Sequence, residues 1–321
     1  MQRYMARTIF DGVSVPRSGA LCAIDIDGVL ETGRLGFSAT TPAGANALRA
    51  LTLHGYRPVI VTGRCLDDVR DRCLHYHLAG GVAEYGAMVY DHLTGHVRCL
   101  LDAPETAQLN RLRDALRSIP GVLVDEACTG IVRAYRNDLG HARALDKETI
   151  AKVLDTSGST GLIRVVPGVS QTDFVPALID KRVGLSVLAE QLANGQPSRV
   201  RFAMGDTTAD VPMFGLAETA FMPANGQHEA RSAGVRVMKR PFGAGVFEAA
   251  THVLGHRPGA CPTCAPLPLT VEASLVMTAL SAQDRDGWGR IRTAMALEWK
   301  RRSVPLPSVG TKVTAQPAPA H

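Results

Sequence analysis

Two aspartates one residue apart, Asp25 and Asp27, end the apolar run LCAIDIDGVL, and Gly28 follows at once. Residues i and i+2 leaving a strand project to the same side. Two carboxylates held that close suit an acid–base pair or a nucleophile–acid pair, and they can help to hold a hard cation. Gly28 allows the tight backbone needed beside a small anion. A turn carrying solvated acids is the plain alternative for these residues taken alone. In VTGR, the Thr62 hydroxyl and the unhindered Gly63 N–H form a cradle for a phosphate oxygen, although an ordinary strand-to-helix turn has the same letters. Lys181 opens a helical pattern, where the helix dipole disfavours a cation; a lysine placed there is either aimed at an anion or solvated on the surface. In GDTTADVPMF, Asp206 closes a strand and Asp210 follows four residues later, so the two can flank one cation directly or through water.

The elements around these groups explain why they should meet. Residues 21–24 read as a strand buried on both faces, 59–61 as a second and the VRFAM run as a third. They end in Asp25, Thr62 and Asp206, and in an open α/β sheet ligands bind beyond the carboxyl ends of the strands. Helical patterns fill 41–54, with Thr41 as cap and Pro42 at the first position, and roughly 66–78. GGVAEYGAMVYD reads as another strand with a turn after it. A helix over 105–119 and two strands, then a helix over 147–154 and two strands, break the rhythm and read as an inserted α+β domain. The α/β alternation returns with a helix over 181–192, a strand over 235–238 and a helix over 244–254. The expected fold class is α/β: a doubly wound Rossmann-like parallel-sheet core, an inserted α+β domain and a helical C-terminal extension. The expected boundaries are 1–90 and 178–256 for the core, 91–177 for the insert, 257–303 for the extension and 304–321 for a Pro-rich, disordered tail.

Composition narrows the class. The 321 residues are 45% hydrophobic and 20% charged, ordinary for a globular chain with a proper core. The net charge of +5 is spread over interleaved acids and bases, so no nucleic-acid partner is expected. The first ten residues lack the apolar core of a secretory signal, and no apolar segment reaches the ~18 residues needed to span a bilayer. A cytoplasmic protein without a membrane partner, monomeric or a homodimer, is the expectation, with reduced cysteines.

Asp25-Ile26-Asp27-Gly28, Thr62-Gly63-Arg64, Lys181 and Gly205-Asp206 with Asp210 resemble, in order, the four motifs of the haloacid dehalogenase-like (HAD) superfamily. The insert falls where the Cof-like and sugar-phosphate phosphatase branch carries its type-two cap. AEYGAMVYD is similar to the ENGA segment before that cap, and MPANG and GAGVFEA look like the last core segments. The resemblance covers about 21–256. Val29 stands where the family usually has Thr, and Ala209 where this branch often has Asn. The resemblance implies a phosphatase of a small phosphomonoester, a sugar or polyol phosphate. Asp25 would attack phosphorus to form an aspartyl-phosphate, and Asp27 would serve as acid and then base. Mg2+ would be held by the Asp25 carboxylate, the Asp27 main-chain carbonyl and Asp206, with Asp210 in support; Thr62, Gly63 and Lys181 would bind the phosphoryl group. A sugar-phosphate phosphomutase and a non-catalytic binding protein on the same fold are the alternatives; a dehalogenase is disfavoured because Asp27 suits phosphoryl chemistry.

Three further features stand apart. Arg133, Arg136, Gln171 and Asp173 lie on or beside strands of the insert and face either the site or solvent. His252 and His256, four apart at a helix end, with Cys261 and Cys264, supply enough ligands for a structural zinc, although a Pro-bounded turn with free thiols or a disulfide is the plainer reading of a single CxxC. Trp288, Ile291, Met295 and Trp299 recur at helical spacing over 287–302 and form an apolar stripe expected to pack on the core or on a second chain.

Overall fold

A computed structural model describes residues 2–34, 37–138, 140–193, 199–231, 234–285 and residue 295. The extension helix expected over 287–302, apart from Met295, and the tail after it lie outside the described residues.

The chain opens with a helix that the sequence reading did not include, α1 (Gln2–Ile9), and then enters β1 (Leu21–Ile24). All four residues of β1 are buried, as a strand covered on both faces requires. A two-stranded flap, β2 (Glu31–Thr32) and β3 (Ala39–Thr40), leads to α2 (Pro42–Leu53). Thr41 caps α2 by accepting from Gly44 N at 3.3 Å, with Pro42 at the first helical position. β4 (Arg57–Val61), α3 (Leu66–Tyr76) and β5 (Gly80–Ala83) follow.

AEYGAMVYD is not one strand. After β5, a turn over Glu84–Gly86 reverses the chain into β6 (Met88–Asp91), antiparallel to β5, and β7 (Val97–Cys99) continues the antiparallel edge. Glu84 and Tyr85 adopt φ of 55° and 57° there, a cost the surrounding contacts must hold in place. The insert runs through α4 (Ala103–Arg117), β8 (Val122–Asp125), β9 (Val132–Asp138), β10 (His141–Arg143), α5 (Lys147–Thr156), β11 (Ile163–Pro167) and β12 (Thr172–Pro176). Its strands form a separate antiparallel sheet, β10-β9-β12-β11 with β8 on β9, over its own apolar core of Leu109, Leu112, Val132 and Phe174.

The core resumes with α6 (Lys181–Gln191), β13 (Val200–Met204), α7 (Val211–Phe214), β14 (Ala220–Met222), β15 (Val235–Val237), α8 (Phe242–Leu254) and α9 (Val271–Leu280). The main sheet has the order β15-β14-β13-β1-β4-β5-β6-β7, parallel from β15 to β5. One apolar cluster, with Leu48, Val69 and Val246, packs α2, α3 and α8 on one face; a second, with Leu185, Leu188 and Met213, packs α6 and α7 on the other. β1 lies between β4 and β13, so the chain leaves it at the point where the strand order reverses. Among the described residues, no helix is long and apolar enough to cross a membrane.

Candidate active site

The ends of β1, β4 and β13 and the start of α6 open into one cleft of about 990 Å³, lined by Asp25, Asp27, Thr62, Gly63, Lys181 and Asp206 among others. Asp25 is the first residue past β1. Its N–H donates to Met204 O of the neighbouring strand at 2.9 Å, and the residue is buried. Gly28, at φ +78°, turns the backbone so closely past Asp206 that a Cβ would lie 2.0 Å from Asp206 Oδ2. Glycine is required there both by conformation and by space. Asn225, in the MPANG segment, braces this loop: its Nδ2 donates to Gly28 O at 2.8 Å and its Oδ1 accepts from Phe242 N at 2.9 Å.

Thr62 follows β4, buried, and its Oγ1 accepts the Arg64 N–H at 3.2 Å, which leaves the hydroxyl proton free to be donated elsewhere. Lys181 is the first residue of α6, N-capped by Asp180. Its Nζ lies 2.9 Å from Asp25 Oδ1 and 2.5 Å from Asp210 Oδ1. Burial alone would lower the lysine pKa, but the two carboxylates overcome that and raise it, so the ammonium is held charged. The lysine at a helix start is therefore compensated by acids in space.

Asp210 is fully buried and both of its oxygens are engaged. Oδ1 meets Lys181; Oδ2 accepts from Asp206 N, Thr207 N and Thr207 Oγ1 at 3.0, 2.9 and 2.9 Å. It thus shapes the loop that presents Asp206. Asp206 Oδ1 is buried without a hydrogen-bond partner. Burial, reinforced by the Asp210 charge, pushes the Asp206 carboxyl up to about 7, and burial likewise raises Asp25. The Asp25, Asp206 and Asp210 carboxylates present oxygens within 4.8 Å of one another. Hard oxygen donors, an orphaned oxygen and the raised Asp25 and Asp206 carboxyls fit a hard divalent cation such as Mg2+.

Asp27 is different. Arg64 grips it with a fork, Nε to Oδ2 at 2.8 Å and Nη2 to Oδ1 at 2.5 Å. Partial desolvation in the cleft works against the charged form of this solvent-exposed side chain, but the Arg64 hydrogen bonds and charge outweigh it and hold the Asp27 carboxyl below its usual range. Arg64 belongs to the VTGR segment, yet the motif reading assigned it no contact. Behind it, the fully buried Glu31 accepts from Arg72 and from Tyr76 Oη at 2.7 Å, and Ser38 joins Glu31 to Arg64. No spacing in the sequence marks this network, because its members come from the flap and from α3.

The insert supplies the facing wall. Arg133 on β9 and Asp173 on β12 are directly paired across the strands, Nε to Oδ1 at 2.7 Å and Nη2 to Oδ2 at 3.0 Å. Arg133 Nη2 also donates to Gly63 O at 2.8 Å, and Tyr85 Oη to Asp173 Oδ2 at 2.8 Å, so the pair joins the insert to the core at the cleft. Gln171 lines the same wall; Arg136 faces away, towards Pro120 O and Thr149 Oγ1. Val29 is fully buried, and Ala209 lines the cleft without offering a polar side chain. Of the four residues grouped for zinc, His252 does not join the others: its ring stacks on Phe221 with centroids 6.2 Å apart.

No protein-family model matches the chain. A curated relative, phosphoglycolate phosphatase from Nitrosopumilus maritimus, is 26% identical over 237 residues, which are 71% of this chain and 93% of the relative. A haloacid dehalogenase-like hydrolase from Bacteroides thetaiotaomicron superposes with a TM-score of 0.58 at 16% identity, over 74% of this chain and 100% of that one. The sucrose-phosphatase of Synechocystis, solved with sucrose and phosphate, superposes with a TM-score of 0.53 at 13% identity, over 73% of this chain and 97% of that one. The fold is that of the haloacid dehalogenase-like superfamily, as the four motifs imply. The relatives named here for an activity on a particular compound are both phosphatases.

Proposed function

We propose that the chain is a magnesium-dependent phosphomonoester hydrolase acting on a small phosphorylated sugar or polyol through an aspartyl-phosphate. The observation that carries this reading is the Lys181 ammonium set 2.9 Å from the Asp25 carboxylate on a cleft floor that Thr62 and Asp206 share. Asp25 attacks phosphorus, the bond to the leaving oxygen breaks, and Asp27 gives that oxygen its proton. Asp27, now a carboxylate, takes a proton from water; the water oxygen attacks the acyl phosphate, releases phosphate and restores Asp25. The Thr62 hydroxyl, the Gly63 N–H and Lys181 offset charge on the phosphoryl oxygens. Asp25, Asp206 and the Asp27 main-chain carbonyl would hold Mg2+, with Asp210 fixing the Asp206 loop. When bound, the ion neutralises phosphoryl charge and aligns the ester with Asp25.

The wall supports the proposed substrate class. Gln171 and the Arg133–Asp173 pair offer polar groups, and Asp173 already satisfies the Arg133 charge. A neutral, hydroxylated leaving group suits that surface better than a second anion. The residues 91–177 then form the cap and 1–90 with 178–256 the catalytic core. Phosphate release from sugar phosphates, polyol phosphates, phosphoglycolate and p-nitrophenyl phosphate, each with Mg2+ and with EDTA, tests the proposal. Mg2+-dependent release that is highest on a sugar or polyol phosphate is expected. Isomerisation of a sugar phosphate without phosphate release, or no release from any ester, would overturn it.

A further inference from the structure

Four metal-ligating side chains outside the cleft converge at the far end of α2 and α8. The two helices start side by side next to the Gly28 loop, where Gly44 meets Gly243 and Asn225 joins Gly28 to Phe242. The twelve residues of α2 then run about 18 Å. His54 stands just past α2 and His256 just past the Gly255 cap of α8. Cys261 and Cys264 come from the turn that follows. Cys261 Sγ lies 3.3 Å from His54 Nε2 and 3.4 Å from Cys264 Sγ, and Cys264 Sγ lies 3.5 Å from His256 Nε2. All four ligand atoms fall within 4.8 Å of one another. Tetrahedral zinc, with bonds of about 2.3 Å to sulfur and about 2.0 Å to nitrogen, sets ligand atoms some ~3.3–3.8 Å apart. The Cys261–His54, Cys261–Cys264 and Cys264–His256 separations sit in that range, whereas a disulfide would bring the sulfurs to about 2.05 Å.

The surroundings are built for the same task. His256 Nδ1 faces Leu254 O at 3.1 Å; an N–H donated there fixes the tautomer that leaves Nε2 free to ligate. Gly259 N donates to Cys264 Sγ at 3.2 Å, from a φ of +89° that favours glycine. Buried Arg49 on α2 donates to Cys264 O and Ala265 O at 3.1 and 3.0 Å, tying the turn to the helix.

We propose that His54, His256, Cys261 and Cys264 form a structural zinc site. Binding releases the two thiol protons, and two thiolates with two neutral imidazoles leave the site without net charge. Four protein ligands leave no open position, so the ion is structural. It pins the ends of α2 and α8 to the segment that leads to α9, whose Met277 and Leu280 enter the core. That segment returns to the other end of the same helices, where Asp284 Oδ1 accepts from Ala244 N at 3.2 Å.

Metal analysis of the full chain, purified without a metal-affinity tag, tests the site. About one equivalent of zinc is expected, retained in Asp206→Asn and His252→Ala and reduced to below roughly a tenth in His54→Ala and Cys261→Ser. Cobalt exchanged into the wild-type chain should show sulfur-to-cobalt charge transfer and tetrahedral bands, a readout that does not depend on any variant folding. Less than a tenth of an equivalent of zinc in the wild type, a cobalt spectrum without sulfur ligation, or loss of zinc in His252→Ala with retention in His54→Ala would overturn the site.

Discussion

The proposed mechanism has Asp27 donate a proton while Arg64 holds it ionised. The fork at 2.5 and 2.8 Å and the Arg64 charge lower the Asp27 pKa, so the resting carboxylate is in the form that the second step needs, and the first step draws on its protonated fraction. A general acid loses activity as pH rises through its pKa. With Mg2+ saturating, the falling limb of kcat/KM should therefore report Asp27. Arg64→Gln removes the charge and the fork, raises the Asp27 pKa, and should move that limb to higher pH by about one unit or more. The comparison needs a poor leaving group, such as an alkyl phosphate, so that protonation counts. A limb that stays in place, or moves to lower pH, would mean that Asp27 is not the acid.

At the scale of elements, the cleft has a floor made by strand ends and a wall made by a second sheet. They meet at Arg133, which holds Asp173 across β9 and β12 and also touches Gly63 O in the loop after β4. Arg133→Met would leave a buried Asp173 unpaired, a loss of about 3–5 kcal/mol. Chemical denaturation should show a drop of that order, with a rise in KM. Adding Asp173→Asn should return much of the stability and none of the KM. Equal KM in wild type and single variant would remove the pair from the site. The floor was legible in the sequence because its groups stand in short local patterns, each at the end of an apolar run. The wall was not: the sequence leaves Arg133 and Asp173 facing either the site or solvent, and only the pairing of β9 with β12 and the packing of the insert on the core decide which. The histidine pair of the Cys/His cluster shows another limit. Spacing by four pairs His252 with His256 only while the helix lasts, and Gly255, at φ 73°, ends it one residue too soon. His54, 207 residues before Cys261, takes the place that periodicity gave to His252. β14 has three residues, too few to show a period.

Across the whole molecule, the acid cluster under the cleft would couple a bound cation to stability. Asp206 titrates near 7, above its unfolded value, so the metal-free fold binds the extra proton and loses stability as pH rises from about 4 towards 7. A divalent cation takes only the ionised form, so its stabilising effect grows over the same window. Thermal unfolding with and without Mg2+ should show a small shift near pH 5.5 and a larger one near pH 7.5, about the unfolding midpoint of the same chain. Asp206→Asn should flatten that difference; a shift independent of pH, or unchanged in the variant, would place the ion elsewhere. The central claim is that Asp25 carries the phosphoryl group. Its most direct test is rapid acid quench of wild type, Asp25→Asn and Asp25→Ala turning over a sugar phosphate with Mg2+, followed by intact-mass and peptide measurement and by phosphate release. The account predicts one added phosphoryl group on the Asp25 peptide of the wild type only, with phosphate release lost in both variants. Release at the wild-type rate from either variant, free of contaminating phosphatase, would contradict it.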